Sequence, residues 1–128
     1  MRLDYDTACD CADLSATAEE YERLADAVAA DGGRVDVRIE PGVDALAGIE
    51  VTGTAGPGVL LGLDSERRVL VVSGDDAGRA LLADILRDLG SYEDGGHLHI
   101  EYHPGHYYLV EGSVALIASS PHGGMPRR

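Results

Sequence analysis

Between Thr17 and Val28 the apolar positions fall at helical spacing. Tyr21, Leu24, Ala25 and Val28 share one face of a 3.6-residue period. Thr17 followed by Glu20 is a capping box, hydroxyl and carboxylate each taking a free N–H at the helix start. The spacing predicts a helix that stops at Asp31-Gly32-Gly33, with Glu19 and Arg23 paired one turn apart on its wet face. A second stripe of Leu81, Leu82, Ile85, Leu86 and Leu89 predicts a helix capped by Asp75 or Asp76 and ended by Gly90. Acids at its start and Arg87 near its end both suit the helix dipole.

Elsewhere the pattern alternates. Arg34 to Glu40 and His97 to His103 switch between polar and apolar at every residue, and each predicts a strand with one buried face. Weaker strand patterns lie at Arg2 to Thr7, Ile49 to Thr54, Val59 to Leu63, Arg68 to Ser73 and Val114 to Ala118. The loop Gly53 to Gly58 is glycine-rich like a phosphate cradle, but no helix start follows it and the sequence has no Lys, which argues against phosphate binding.

The two halves echo each other. Leu24-Ala25-Asp26 matches Leu82-Ala83-Asp84. Arg34 to Glu40 followed by Pro41-Gly42 aligns without a gap on His97 to His103 followed by Pro104-Gly105. One-sided helices and one-sided strands must cover each other. The expected fold is therefore α+β: a mostly antiparallel sheet with two helices on one face, built from two similar strand–helix–strand–strand halves. A single domain is expected over residues 1–118, and a flexible C-terminal tail, rich in Gly and Pro, over 119–128. If both alternating strands share the sheet, its open face carries Arg34, Asp36, Arg38 and Glu40 beside His97, His99, Glu101 and His103.

Composition narrows the function. With 128 residues, 45% of them apolar, the chain can bury a core without disulfide or metal. No apolar run approaches the roughly 18 residues of a membrane span, and the N-terminus shows no secretory pattern. Acids outnumber bases 23 to 10, every base is Arg, and the net charge is −13. Phosphate neutralisation needs the opposite sign, so direct nucleic-acid binding is not expected. Anionic membranes would repel the chain as well. A basic protein partner fits the field. Cys9 and Cys11 are too close for an easy disulfide. They are expected to be free thiols in a reducing cytoplasm.

The chemistry-bearing residues gather late in the chain. His97, His99, His103 and His106 lie within one short stretch, with Glu101 among them. H-x-H on a strand can present two imidazoles to zinc, so the alternative function is a small metal-binding protein or metal-dependent enzyme on the His97, His99, Glu101 and His103 face. Against it, no H-E-x-x-H or paired C-x-x-C is present, and the reading that fits better is a polar face without cofactor. Ser113, His106 and Asp94 could be assembled into a nucleophile and base, but no G-x-S-x-G elbow surrounds the serine. Tyr107 and Tyr108 follow the Pro104-Gly105 turn. Tyrosine beside acids and imidazoles suits a protein interface.

The segment Gly96-His97-Leu98-His99-Ile100-Glu101-Tyr102-His103-Pro104-Gly105-His106-Tyr107-Tyr108-Leu109, followed by Glu111-Gly112-Ser113-Val114-Ala115-Leu116-Ile117, resembles the C-terminal motif of immunity protein 32, a family of bacterial polymorphic toxin systems. The resemblance spans about residues 70–119. It implies a cytoplasmic, non-enzymatic, antitoxin-like protein that binds a cognate toxin domain and blocks its active site or substrate groove. A basic nuclease domain is one such toxin. The resemblance brings no catalytic or metal role with it. The contact surface expected from residues and resemblance together is His97, His99, Glu101, His103, His106, Tyr107 and Tyr108, with Asp36 and Glu40 from the first half.

Overall fold

The computed structural model describes residues 2–6, 10–30, 33–36, 46–91, 97–106 and 108–119. The first half runs β1 (Arg2–Asp6), β2 (Cys11–Ser15), α1 (Ala18–Ala29), β3 (Arg34–Asp36) and β4 (Gly48–Gly53). The second runs β5 (Val59–Asp64), β6 (Val69–Gly74), α2 (Asp76–Gly90), β7 (His97–Ile100) and β8 (Ala115–Ser119). The α+β class, the two helices and the predominance of antiparallel pairs agree with the sequence. The strands, however, divide between two mixed four-stranded sheets, in orders β1-β2-β8-β7 and β3-β4-β6-β5.

Each half is thus strand–strand–helix–strand–strand. The Val59 to Leu63 pattern is β5 of the second half, and the strand the pattern missed is β2 of the first, in which only Ala12 and Leu14 alternate clearly inward. Two buried positions, one of them Ala, carry little periodic signal. Exchanging each element for its counterpart in the other half turns one sheet order into the other. Each sheet takes its first strand pair from one half and its last pair from the other. The match reaches single residues: buried Leu3, Leu14, Leu24, Ala25 and Val28 correspond to buried Leu61, Val72, Leu82, Ala83 and Leu86. Even the two non-glycine residues with positive φ among the described residues, Asp10 and Arg68, directly precede the equivalent strands β2 and β6. The register of the echo differs from the gapless alignment. Cys11 pairs with Ala115 as Val69 pairs with Gly48, which places Ile49 on Leu116 and so Arg34 on His99, not His97.

The inner faces of both sheets and the apolar stripes of both helices share one core. Single hydrogen bonds join the sheets, from Leu46 N–H to the Leu3 carbonyl and from Val114 N–H to the Leu61 carbonyl, each 2.9 Å. The capping box on α1 is present, and Asp75 caps α2. Leu81 is exposed and Ile85 half-buried, so the buried stripe of α2 is Leu82, Ala83, Leu86 and Leu89. Glu19 and Arg23 form no pair; α1 is instead tied to α2 by Arg87, which holds Glu22 at 2.8 Å and Asp26 at 2.7 Å.

One strand end is corrected: β7 ends at Ile100. β3 is described as Arg34–Asp36, and residues 37–40 of the expected strand lie outside the described set. Ser119 belongs to β8, not to the tail, and residues 120–128 lie outside the described set. Cys11 is disulfide-bonded, not free, which removes the thiol argument for a reducing compartment. β1 and β2 pair antiparallel with Asp6 opposite Cys11, a pairing that sequence spacing alone does not reveal.

Candidate functional site: a cleft between α2 and β7

β7 is the edge strand of its sheet. Its alternation puts Leu98 and Ile100 toward the core and His99 toward solvent. Past Ile100 the chain leaves the strand, so Glu101 and His103 do not continue the strand face that the alternation suggested. Pro104 and Gly105 form a turn closed by a 2.9 Å bond from His106 N–H to the His103 carbonyl. Gly105 has φ +86, the conformation that Pro-Gly supplies in a type II turn. The turn folds Glu101, His103 and His106 back toward β7, where they line an open cleft of about 380 Å³ with Ile85, Leu98, His99, Ile100 and Tyr108.

The returning segment is firmly held. Val59 N–H donates to the Tyr108 carbonyl at 2.6 Å and Val110 N–H to the Val59 carbonyl at 2.9 Å, docking the segment on β5. Ser113 Oγ accepts from Leu61 N–H at 3.1 Å and donates to the Val110 carbonyl at 2.9 Å. That hydroxyl is a structural fastener, and the arrangement gives no support to a nucleophile there.

His106 is likewise committed. Its Nδ1 accepts from the N–H groups of Tyr108 at 3.2 Å and Leu109 at 3.0 Å. An Nδ1 that accepts carries no proton, so the ring is neutral with its hydrogen on Nε2. Burial holds its pKa below the ordinary imidazole value, and nearby His103 adds repulsion. The His103 and His106 rings lie 4.9 Å apart, and Tyr108 meets His106 edge to face at 4.7 Å. His103 Nδ1 lies 3.1 Å from the Pro104 carbonyl. Among the described residues no three His, Cys, Asp or Glu side chains form a group able to hold a metal ion. The zinc alternative also needs His97, whose side chain lies outside the described ones.

The halves differ at a contact beside the cleft. In the first half, Ala27 of α1 faces Gly33 at the approach to β3, so closely that a Cβ on Gly33 would lie 3.1 Å from the Ala27 carbonyl oxygen. The equivalent positions in the second half are Ile85 and Leu98, both half-buried, and both line the cleft. Two bulky side chains hold helix and strand apart where Ala and Gly let them close.

The structure brings together His99, Glu101, His103, His106 and Tyr108. His97 lies on β7, while Tyr107 and Glu40 lie outside the described residues. Asp36 is separated from the cluster: β3 is the edge of the other sheet, so the shared open face expected from the two alternating strands does not form. Asp36 instead accepts from Arg34 at 2.7 Å. That arginine also reaches Glu50, which Arg67 holds together with Asp64. The neighbouring guanidinium groups hold Glu50 and Asp64 below the usual carboxylate range. Ile85, Leu98 and Ile100 are the lining residues that sequence reasoning missed. All three read as ordinary core positions, and for Ile85 and Leu98 the signal lay in comparing them with Ala27 and Gly33.

The glycine loop also differs from its sequence reading. It does meet a helix start, since Asp75 at the N-cap of α2 accepts from Gly58 N–H at 3.3 Å and from Gly78 N–H at 2.8 Å. The carboxylate occupies the place an anion would take, so the argument against phosphate stands for another reason.

A ββαββ duplicate with one half opened into a cleft is the class of molecule defined here. Residues 69–121 match the family model of immunity protein 32, a span that starts at β6 and contains α2, β7, the whole returning segment and β8. No curated protein and no solved structure matches the chain. The match supports an immunity, antitoxin-type role in general terms. No helix among the described residues is long and apolar enough to cross a membrane.

Proposed function

We propose that this protein is an immunity protein that binds and neutralises a cognate bacterial toxin domain, acting without catalysis. The observation that carries the reading is the extent of the family match, which takes in all the residues lining the cleft. Charge supports it. With 23 acids against 10 arginines, the surplus is negative. Moreover, Arg2, Arg34, Arg67, Arg79 and Arg87 are already engaged by the protein's own acids. The field left over suits a basic partner, such as a nuclease domain whose groove attracts phosphates. The contact surface proposed is the segment from His97 to Tyr108. A cytoplasmic location goes with this reading.

The test is a titration against the purified product of the adjacent gene at two salt concentrations, with that product's toxic activity assayed alongside. Nanomolar binding that abolishes the activity and weakens with salt is expected, with association near ~10⁸ M⁻¹s⁻¹ at low salt. An adjacent product that is toxic yet neither bound nor inhibited overturns the reading.

A further inference from the structure

We propose that the cleft between α2 and β7 seats an arginine side chain of the partner. Its guanidinium would lie on the Glu101 carboxylate and its stem along Ile85 and Leu98. The inference rests on the protein-binding reading above and names the chemistry of its central contact.

Three observations converge. The lining is divided: Ile85, Leu98 and Ile100 offer an aliphatic wall, while Glu101, the histidines and Tyr108 offer polar and aromatic groups. A long side chain with an apolar stem and a charged planar end matches that division. Glu101 is the cleft's one carboxylate; it is exposed and pairs with no arginine among the described residues. Other acids of the fold, including Asp36, Glu50, Asp64 and Asp26, already hold one. No arginine lines the cleft among the described residues, and His106 gives its Nδ1 to two backbone N–H groups and stays neutral.

Size and shape agree. Small-molecule pockets run from about 300 to 1,000 Å³. At about 380 Å³ and open to solvent, this cleft has room for a side chain rather than for an enclosed metabolite. Arginine is preferred to lysine because a guanidinium can bond a carboxylate through two N–H groups and lie flat on an aromatic ring. At the equivalent place in the first half Ala27 and Gly33 approach closely, a Cβ on Gly33 falling 3.1 Å from the Ala27 carbonyl oxygen.

The test uses the full chain, ¹⁵N-labelled, titrated with Nα-acetyl-arginine methylamide. The lysine and citrulline analogues serve as parallel probes. Saturable shifts are expected at Ile85 and from Leu98 to Tyr108, with citrulline about tenfold weaker, as loss of a charged hydrogen bond requires. Glu101→Gln should lower arginine binding to the citrulline level. Absent or non-saturating shifts, shifts centred elsewhere, or an unaffected Glu101→Gln variant each overturn the proposal. Equal affinity for the lysine analogue overturns its arginine specificity. The adjacent-gene titration keeps the two readings apart: binding there with no arginine response defeats only this inference, and the reverse pattern defeats only the proposed toxin.

Discussion

Arg79 is the residue whose environment departs furthest from its type. It is almost wholly buried at 1% exposure, in the place that Tyr21 holds in the first half. Its guanidinium donates to the carbonyls of Gly74, Val28 and Ala29, at 3.0 to 3.1 Å, and pairs with Asp76. The last carbonyls of α1 thereby gain both partners and a positive charge. Arg79→Ala should cost at least about 3 kcal/mol in urea unfolding, since it opens a cavity and strands carbonyl groups. Asp76→Asn should cost under about 1 kcal/mol, because that carboxylate is exposed. His106 supplies a pH dependence. Its native pKa lies below the ordinary value, so as pH falls through about 6.5 the unfolded chain takes up the proton first. Stability should therefore fall in acid from that point and level off once the native ring titrates. Urea midpoints between about pH 7.5 and pH 5 should show this component, and His106→Asn should lack it.

Among the elements, the helices were most legible. The α1 stripe and the caps Thr17 and Asp75 stand as the pattern implied, and α2 ends at Gly90 with Ser91 as its cap, because capping and 3.6-residue periodicity are local properties. Only the α2 stripe shifts, losing Leu81 and Ile85 and gaining Ala83. The caps differ in what else they hold. Thr17 serves only α1, whereas Asp75 also anchors Gly58 and with it the loop before β5. Thr17→Ala should cost about 1 kcal/mol, and Asp75→Ala measurably more, in the same denaturation assay. Strand ends were less legible. The alternation from His97 to His103 is faultless, yet β7 stops at Ile100 because Pro104-Gly105 turns the chain back toward β5. Of the proposed site, the histidine–glutamate–tyrosine cluster was visible in the sequence. Its apolar wall was not, since Ile85 and Leu98 look like any core residues until their counterparts are compared.

At the scale of the molecule, each sheet is completed by the other half, so neither half has a sheet of its own to keep. Unfolding should be a single cooperative transition, with far-UV dichroism and near-UV tyrosine signals superimposing. Separate transitions for the two halves would contradict this topology. The same exchange explains the misplaced face. β3 and β7 are equivalent by symmetry, and symmetry puts equivalent strands in different sheets. Asp36 and His99 therefore lie on separate sheet edges and are not neighbours. The molecule keeps the symmetry in its core, where both helices and both sheets meet, and breaks it at the edge, where Ile85 and Leu98 replace Ala27 and Gly33.

By itself the sequence determined what depends on near neighbours along the chain: two helices and their caps, most strands, the internal echo, the acidic field and the cluster around Glu101. Tertiary structure alone decided which strands pair, that the echo is built by exchange between two sheets, and that a cleft opens between α2 and β7. Periodicity reports which face of an element is buried, but not which distant element covers it. Strand pairing is a choice among partners far apart in sequence, made by the fit of complete apolar faces. The cleft is a consequence of that fit, the place where two large side chains meet across a gap that smaller ones close.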